Sequence, residues 1–143
     1  MANTTLPTRL TEIIDEFKDS DRQEKLELLL EFADKLPALP ERLLAQRDAM
    51  ERVHECMTPV FLQTELHDGG VIFHFDIPPE SPTTRGYAAL LAEGLRGEPP
   101  QAVIAVPGDF FTAMGLQQIL SPQRLNGITA ILAYMKRQSL RLM

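Results

Sequence analysis

The chain has 143 residues, of which 44% are hydrophobic and 24% are charged, a composition that excludes a disordered chain and predicts one globular domain over residues 1–143. Its net charge of −6 argues against nucleic acid as the main partner. A single cysteine excludes an intramolecular disulfide framework and a cysteine-rich zinc site.

The beginning of the chain predicts two amphipathic helices. In the first, Thr8 or Thr11 is expected to be the N-cap, and the expected buried residues are Leu10, Ile13, Ile14 and Phe17. In the second, Asp21 and Glu24 have the spacing of a capping box, and the expected buried residues are Leu26, Leu29, Leu30, Phe32 and Ala33. The sequence PALP at 37–40 ends this helix, and a shorter helical stretch is expected within 41–50.

Beyond Cys56 the pattern changes to that of a β-hairpin. The segments TPVFLQTEL (58–66) and VIFHFDI (71–77) are rich in β-branched and aromatic residues, and HDGG lies between them. An Asp-Gly pair between two such segments favours a tight hairpin turn. The following IPPESPTT (77–84) is expected to be a loop because prolines interrupt it.

The rest of the chain is predicted to be helical. TTRGYAALLAEGLRG (83–97) predicts a helix that ends at Gly97, and short helical turns are expected in 99–106 and 108–116. A last helix is expected to have Ser121 as its N-cap and Pro122 at its first position. Helices before and after a small antiparallel sheet predict an α+β fold.

The sequence also bears on location and charge. No segment resembles a secretory signal or is apolar for long enough to cross a bilayer, so we expect a cytoplasmic protein without a membrane partner. Residues 1–55 contain 13 acidic and 8 basic residues, whereas the chain after Asp109 contains four basic residues and no acidic one. The basic residues near the end of the last helix are expected to complement its dipole.

Most familiar catalytic and ligand-binding motifs are absent. His54, His67 and His74 lack the helical spacing of metal ligands, and no HExxH or paired-cysteine motif occurs, so no metal site is predicted. The phosphate-binding motifs GxxxxGK[ST] and GxGxxG and the nucleophile motif GxSxG are also missing. These absences leave Cys56 as the main candidate for chemistry.

Two interpretations of Cys56 are open. A buried cysteine can fill a core position as a small apolar residue. Alternatively the thiol is reactive, because it is predicted to lie on a loop between a helix and a strand, where functional residues concentrate. His54 and Glu55 precede it, so its ionisation can respond to nearby charge. A lone thiol can still exchange a group with a thiol of another protein.

Four segments of the chain together resemble a known family. They are KLPALP (35–40), VHECMTPVFL (53–62), TTRGYAALLAEGL (83–95) and FFTAMGLQQILSPQRLNGITAIL (110–132). In order and spacing they are similar to the SufE/CsdE-type sulfur-acceptor proteins of iron–sulfur cluster assembly. The similarity runs from about Asp19 to Lys136 and so covers most of the chain.

The resemblance implies a sulfur acceptor without a cofactor of its own. A pyridoxal-phosphate cysteine desulfurase, SufS- or CsdA-like, would supply sulfur as a persulfide, and the protein would accept it on a loop cysteine, stimulate the desulfurase and deliver the sulfur to an iron–sulfur scaffold. By position, Cys56 is that acceptor. Arg124 falls where the family has an arginine near the site, and Arg85 takes the place of a basic residue before a helical glycine. The implied fold is a small antiparallel sheet with helices packed around it.

The chain departs from the family pattern near the cysteine and before the central helix. Family members commonly have Gln after the cysteine and Trp in the next strand, where this chain has Met57 and Phe61. Met57 has no amide to donate to a persulfide. In place of a Ser-Asp-Ala stretch the chain has PESPTTRG (79–86), whose only acidic residue is Glu80.

A carrier of persulfide sulfur must shelter it from small thiols. We expect apolar residues around Cys56 to form the sheltering pocket, namely Val53, Met57, Val60 and Phe61. Because apolar burial raises the pKa of a thiol, this predicts a loop that holds Cys56 inward in the free protein and outward when docked. Arg124 and Arg85 are candidates to stabilise the thiolate of Cys56. Arg124 is alternatively a structural residue at the start of the last helix. His54 is a candidate modulator of the ionisation of Cys56.

Two other functions compete with a sulfurtransferase-like carrier. A redox sensor would oxidise Cys56 to a sulfenic acid without any partner and would need an exposed thiol. A module that only activates a desulfurase by surface contact would use Cys56 as a core residue, so that Cys56→Ser would still stimulate the desulfurase.

Overall fold

The computed structural model of the protein describes residues 6–143. Its three strands follow one another along the chain between two groups of helices, which is an α+β arrangement. The α-helices are α1 (Thr8–Lys18), α2 (Arg22–Lys35), α3 (Glu41–Leu44), α4 (Pro82–Leu95), α5 (Pro100–Ile104), α6 (Phe111–Met114) and α7 (Pro122–Arg141). The strands are β1 (Glu51–Arg52), β2 (Phe61–His67) and β3 (Gly70–Asp76), and single 3-10 turns lie at Arg47–Ala49 and Leu116–Gln118. Over this part of the chain no helix is long and apolar enough to cross a membrane.

The first two helices follow the predicted pattern with two corrections. In α1 the four predicted residues are buried, but Pro7 occupies the N-cap and, among residues 6–143, no side chain caps the helix, so the prediction of Thr8 or Thr11 as the cap is wrong. In α2 the capping box of Asp21 and Glu24 is confirmed.

The buried face of α2 is displaced from the predicted one. Leu30 is 38% exposed and Leu26 is half-buried, whereas Lys25 is buried. The ammonium group of Lys25 donates to the carbonyl of Ser20, at the end of the α1–α2 connection. The aliphatic stem of a lysine can cover apolar surface while its charged end finds a polar partner, which is why hydrophobicity alone misplaces this face.

The predicted hairpin forms strands β2 and β3 of a three-stranded antiparallel sheet of order β1–β2–β3. Its register runs from Phe61 opposite Asp76 to His67 opposite Gly70. Asp68 and Gly69 form the turn and both have positive φ, 51° and 80°, as a type I′ turn requires. The two-residue strand β1 is additional to the prediction, since two residues are too few to show an alternating pattern.

Helix α4 lies at the centre of the molecule, in contact with α1, α2, α7 and β3. It begins at Pro82, inside the segment predicted as loop. Gly86 allows α2 to approach closely, because a Cβ atom there would lie 2.3 Å from the backbone oxygen of Leu29. The short helices α5 and α6 and the start of α7 are confirmed, with the Ser121 hydroxyl accepting a hydrogen bond of 3.3 Å from the Arg124 N–H.

Helix α7 is attached to the sheet by a buried amide. The Gln138 side chain accepts a hydrogen bond from the Thr64 hydroxyl (2.7 Å) and donates to the Leu62 carbonyl (3.1 Å) and the Glu51 carboxylate (2.9 Å). Arg137, near the end of the helix, pairs with the same carboxylate at 2.9 Å. These bonds fix one side of α7 against β1 and β2.

The close approach of α2 and α4 predicts that Gly86→Ala destabilises the protein. Alanine normally favours a helix by about 1 kcal/mol over glycine, but here its methyl group would collide with the Leu29 backbone, and overpacking costs about 1–3 kcal/mol. Urea unfolding followed by circular dichroism should show a lower free energy of unfolding. Gly108→Ala, where an added Cβ meets nothing within 4 Å, is the control. An unchanged or higher stability of Gly86→Ala would contradict the packing described.

Candidate functional site

Cys56 lies at the turn of a short loop, residues 53–60, that joins β1 to β2. The Val53 N–H donates to the Val60 carbonyl at 2.8 Å, which continues the strand pairing to the base of the loop. The Cys56 N–H donates to the Val53 carbonyl at 3.3 Å. Both valines are fully buried. The core therefore holds the two ends of the loop and presents Cys56 at its turn.

The thiol of Cys56 packs against the backbone of α7. Its Sγ donates a weak hydrogen bond of 3.7 Å to the carbonyl of Gly127, and the residue is only 7% exposed. A Cβ atom at position 127 would lie 3.4 Å from Sγ and 3.0 Å from the hydroxyl oxygen of Tyr87. The glycine thus provides the space in which the thiol and the Tyr87 hydroxyl meet the helix.

A cavity of about 500 Å³ opens beside the thiol. Cys56 and Met57 line it from the loop, Glu80 from the connection before α4, and Arg124 from the first turn of α7. Much of the remaining wall bears hydroxyl groups, which belong to Thr58, Ser81, Thr83, Thr84, Tyr87 and Ser121. The cavity can therefore hold a small polar or charged group next to the sulfur.

Two helices begin at this cavity. The wall includes Pro82 of α4 and Gln123 of α7, each in the first turn of its helix. Free backbone N–H groups and the helix dipole favour negative charge at a helix N-terminus. The Arg124 guanidinium, which donates to the Thr83 hydroxyl, joins the two helix starts and adds positive charge. The helix starts and Arg124 favour an anion, whereas the carboxylate of Glu80 on the same wall opposes one.

The thiol itself is held in its neutral form. Burial raises the pKa of Cys56 to about 11, and the negative charge of neighbouring Glu55 contributes to this rise. The Glu55 carboxylate accepts a hydrogen bond of 2.9 Å from the Tyr134 hydroxyl of α7. At pH 7, about four units below that pKa, roughly one thiol in 10,000 is ionised, so the inward position protects Cys56 and suppresses its nucleophilicity.

The structure brings together only some of the residues singled out from the sequence. Cys56, Met57, Glu80 and Arg124 share the cavity. His54 is exposed and does not line it. Arg85 instead donates to the Ile77 carbonyl at 2.7 Å and so fixes the connection before α4.

The predicted lining of an apolar pocket needs correction. Val53 and Val60 belong to the core beneath the loop, and Phe61 is half-buried with the Arg47 guanidinium 5.6 Å from its ring centre. Of the four predicted lining residues only Met57 lines the cavity, and its side chain is 79% exposed. The wall includes many polar groups because the beginnings of α4 and α7 form part of it, where Ser81, Thr83, Thr84 and Ser121 lie.

Sequence reasoning missed Tyr87 and Gly127. Tyr87 sits among apolar residues of a helical pattern and looks like a core residue, whereas its hydroxyl reaches the cavity wall and bonds to Thr84 at 3.3 Å. Gly127 could have been recognised from the sequence, because a glycine inside a helix costs stability and often marks a place where another group packs closely against the helix backbone. Within residues 6–143, no three His, Cys, Asp or Glu side chains lie together as metal ligands would.

Comparison with known proteins gives a consistent result. Residues 11–139 match the SufE family model, described as the Fe-S metabolism associated domain. An uncharacterized SufE-like protein of Mycobacterium tuberculosis is 47% identical over 138 residues, covering 96% of this chain and 95% of that protein. The solution structure of a hypothetical protein from Thermus thermophilus superposes with a TM-score of 0.86 at 36% identity, over 96% and 97% of the two chains. The cysteine desulfuration protein SufE of Plasmodium vivax is 26% identical over 87% of this chain and 49% of that protein.

The burial of Cys56 predicts slow alkylation of the folded protein. Only the thiolate reacts, and a pKa of about 11 instead of an unperturbed value near 8.5 reduces its fraction at pH 7.5 by roughly two to three orders of magnitude. The rate with iodoacetamide should keep rising up to about pH 11. The control is the same chain unfolded in urea, for which the alkylation rate should reach half its maximum near pH 8.5. Equal rates for folded and unfolded protein at pH 7.5 would contradict the buried position.

Proposed function

Because this chain belongs to the SufE family, whose domain is associated with Fe–S metabolism, we propose that it is a carrier of persulfide sulfur. It accepts sulfur on Cys56 from a cysteine desulfurase, stimulates that enzyme and delivers the sulfur to an iron–sulfur cluster scaffold. The observation that carries this proposal is the position of the only cysteine, on a loop beside a polar cavity with space for another sulfur.

The transfer is a thiol–disulfide type of exchange. The Cys56 thiolate attacks the outer sulfur of the persulfide on the desulfurase cysteine. A new S–S bond forms to Cys56, the S–S bond within the donor persulfide breaks, and its electron pair leaves with the desulfurase cysteine as a thiolate. The proton of Cys56 has gone to solvent before the attack. No external oxidant or reductant is needed, and the protein needs no cofactor of its own, since pyridoxal phosphate belongs to the desulfurase.

The cavity suits the product of this step. A persulfide is negatively charged when ionised, and the surrounding helix starts, hydroxyl groups and Arg124 favour negative charge. In the inward position the sulfur is also covered by α7. These features support a role in holding transferred sulfur away from small thiols.

The same burial requires the loop to move for the reaction to occur. A thiol with a pKa of about 11 reacts slowly, so docking must turn Cys56 outward, where its pKa approaches the ordinary range. Opening the loop breaks three side-chain contacts: the thiol to the Gly127 carbonyl at 3.7 Å, the hydroxyl of Thr58 to that of Ser81, and the Tyr134 hydroxyl to the Glu55 carboxylate at 2.9 Å. The exposed Met57 beside the thiol offers apolar surface that a desulfurase can contact.

The competing functions fit these observations less well. A redox sensor works through an accessible thiol of low pKa, whereas Cys56 is buried and its pKa is raised. A purely structural cysteine does not account for the polar cavity beside it. A reducing cytoplasm, where a lone thiol stays free of disulfides, is the compartment that we propose for this carrier.

The direct test is the intact mass of the protein after mixing with a pyridoxal-phosphate cysteine desulfurase and L-cysteine. Wild type should gain one sulfur atom, about 32 Da, which a reductant removes, because the exchange leaves one sulfur on Cys56. Cys56→Ser, which keeps the size of the side chain, should gain none and should still dock. No added mass on wild type with an active desulfurase, or an equal gain on Cys56→Ser, would contradict the proposal.

A further inference from the structure

Within residues 6–143, the inward position of Cys56 gives its sulfur a hydrogen-bond acceptor and no donor. In the neutral thiol, Sγ–H donates to the Gly127 carbonyl at 3.7 Å. In a persulfide Sγ has no proton to donate, and the partial negative charge of that carbonyl repels the charged terminal sulfur. A buried anion without a hydrogen-bond donor is strongly disfavoured. If the sulfur is to remain inward as an anion, a donor must lie within reach.

Tyr87 of α4 is the buried hydroxyl next to the sulfur. The residue is 2% exposed. A Cβ atom placed on residue 127 would lie 3.0 Å from the Tyr87 hydroxyl oxygen and 3.4 Å from Sγ of Cys56, so both atoms border the same small space. The hydroxyl now donates to Thr84 over a long 3.3 Å. Rotation of the O–H bond frees this proton for another acceptor without any movement of the helix.

We propose that the Tyr87 hydroxyl donates a hydrogen bond to the negatively charged terminal sulfur of a persulfide on Cys56, and so holds the persulfide in the cavity. This inference rests on the proposed carrier function and adds to it the group that retains the sulfur. No covalent bond to Tyr87 forms, and its proton stays on the oxygen. Burial also raises the pKa of Tyr87, which keeps the hydroxyl protonated and able to donate.

The other charged groups around the sulfur belong to Glu55, Arg124 and Glu80. Glu55, on the same loop, bonds to Tyr134 of α7. Arg124, also on α7, donates to Thr83, and Glu80 lines the cavity from the connection before α4. The carboxylates cannot donate when ionised, and Arg124, which adds positive charge to the cavity, is exposed. Tyr87 and Thr84 are buried residues of the wall that bear hydroxyl groups, and the hydroxyl of Tyr87 lies with Sγ beside residue 127.

The test uses a persulfide made chemically on the folded protein, so that it does not depend on a desulfurase. Cys56 is first converted to a mixed disulfide with a small aromatic thiol, and hydrosulfide then attacks Sγ, releasing that thiol as a thiolate and leaving the persulfide. The rate at which dithiothreitol removes the added sulfur is followed by mass spectrometry. In that step dithiothreitol attacks the terminal sulfur of the neutral persulfide and Cys56 leaves as a thiolate, so a hydrogen bond to the ionised terminal sulfur slows the loss by lowering the neutral fraction.

Tyr87→Phe removes only the hydroxyl and should lose sulfur about tenfold faster, since a hydrogen bond to a charged group corresponds to roughly one pKa unit or more. Thr84→Val is the matched control. It makes the same wall apolar but leaves the Tyr87 donor in place, so its rate should stay within about twofold of wild type. Equal rates for Tyr87→Phe and wild type, or equal acceleration by both variants, would overturn the proposal.

A spectroscopic measurement on the wild-type chain covers the case in which Tyr87→Phe does not fold. The protein has two tyrosines, so ring-labelled tyrosine gives two sets of NMR signals. Persulfidation of Cys56 should shift the Tyr87 signals, while those of Tyr134 move less because its hydroxyl is bonded to Glu55. Unmoved Tyr87 signals would overturn the proposal. Failure of the desulfurase experiment alone would refute the carrier function and leave this contact standing.

Discussion

The contact between the Cys56 thiol and the backbone of α7 at Gly127 is the constraint on which the site depends. A Cβ atom at residue 127 would lie 3.0 Å from the Tyr87 hydroxyl oxygen and 3.4 Å from the sulfur, so the glycine lets both groups pack closely against the helix. A glycine within a helix costs about 1 kcal/mol relative to alanine, and the bonds of Gln138 to β1 and β2 hold α7 in place despite it. The loop, the central helix and the last helix therefore meet at one sulfur atom.

This arrangement separates protection from reactivity. In the inward position burial keeps the thiol neutral, with a pKa of about 11, and covers it with the helix. The anion-favouring groups, which are the starts of α4 and α7 and the Arg124 guanidinium, lie around the adjoining cavity. In the proposed transfer, a sulfur that gains a second, charged sulfur atom would find its favourable surroundings in the cavity, whereas the attack that creates it would require the loop to open. A carrier needs both properties, at different times.

Local features of the fold could be predicted from the sequence, and the walls of the site could not. The capping box of Asp21 and the turn at Asp68 and Gly69 are set by neighbouring residues, so their patterns are visible in the sequence. The cavity is formed by residues far apart in the chain, and its hydroxyl groups look like ordinary helix starts until α4 and α7 are placed side by side. Lys25 was missed for a related reason, since its burial depends on a carbonyl of the preceding turn.

The proposed carrier function requires the folded protein to shelter a sulfur atom on Cys56. The decisive measurement is the rate at which a small thiol removes sulfur from the isolated persulfidated protein, compared between the folded chain and the same chain unfolded in urea. We expect at least about tenfold slower loss from the folded protein, because access and the neutral fraction of the persulfide both limit the exchange. Equal rates in the two states would mean that the cavity gives the sulfur no protection.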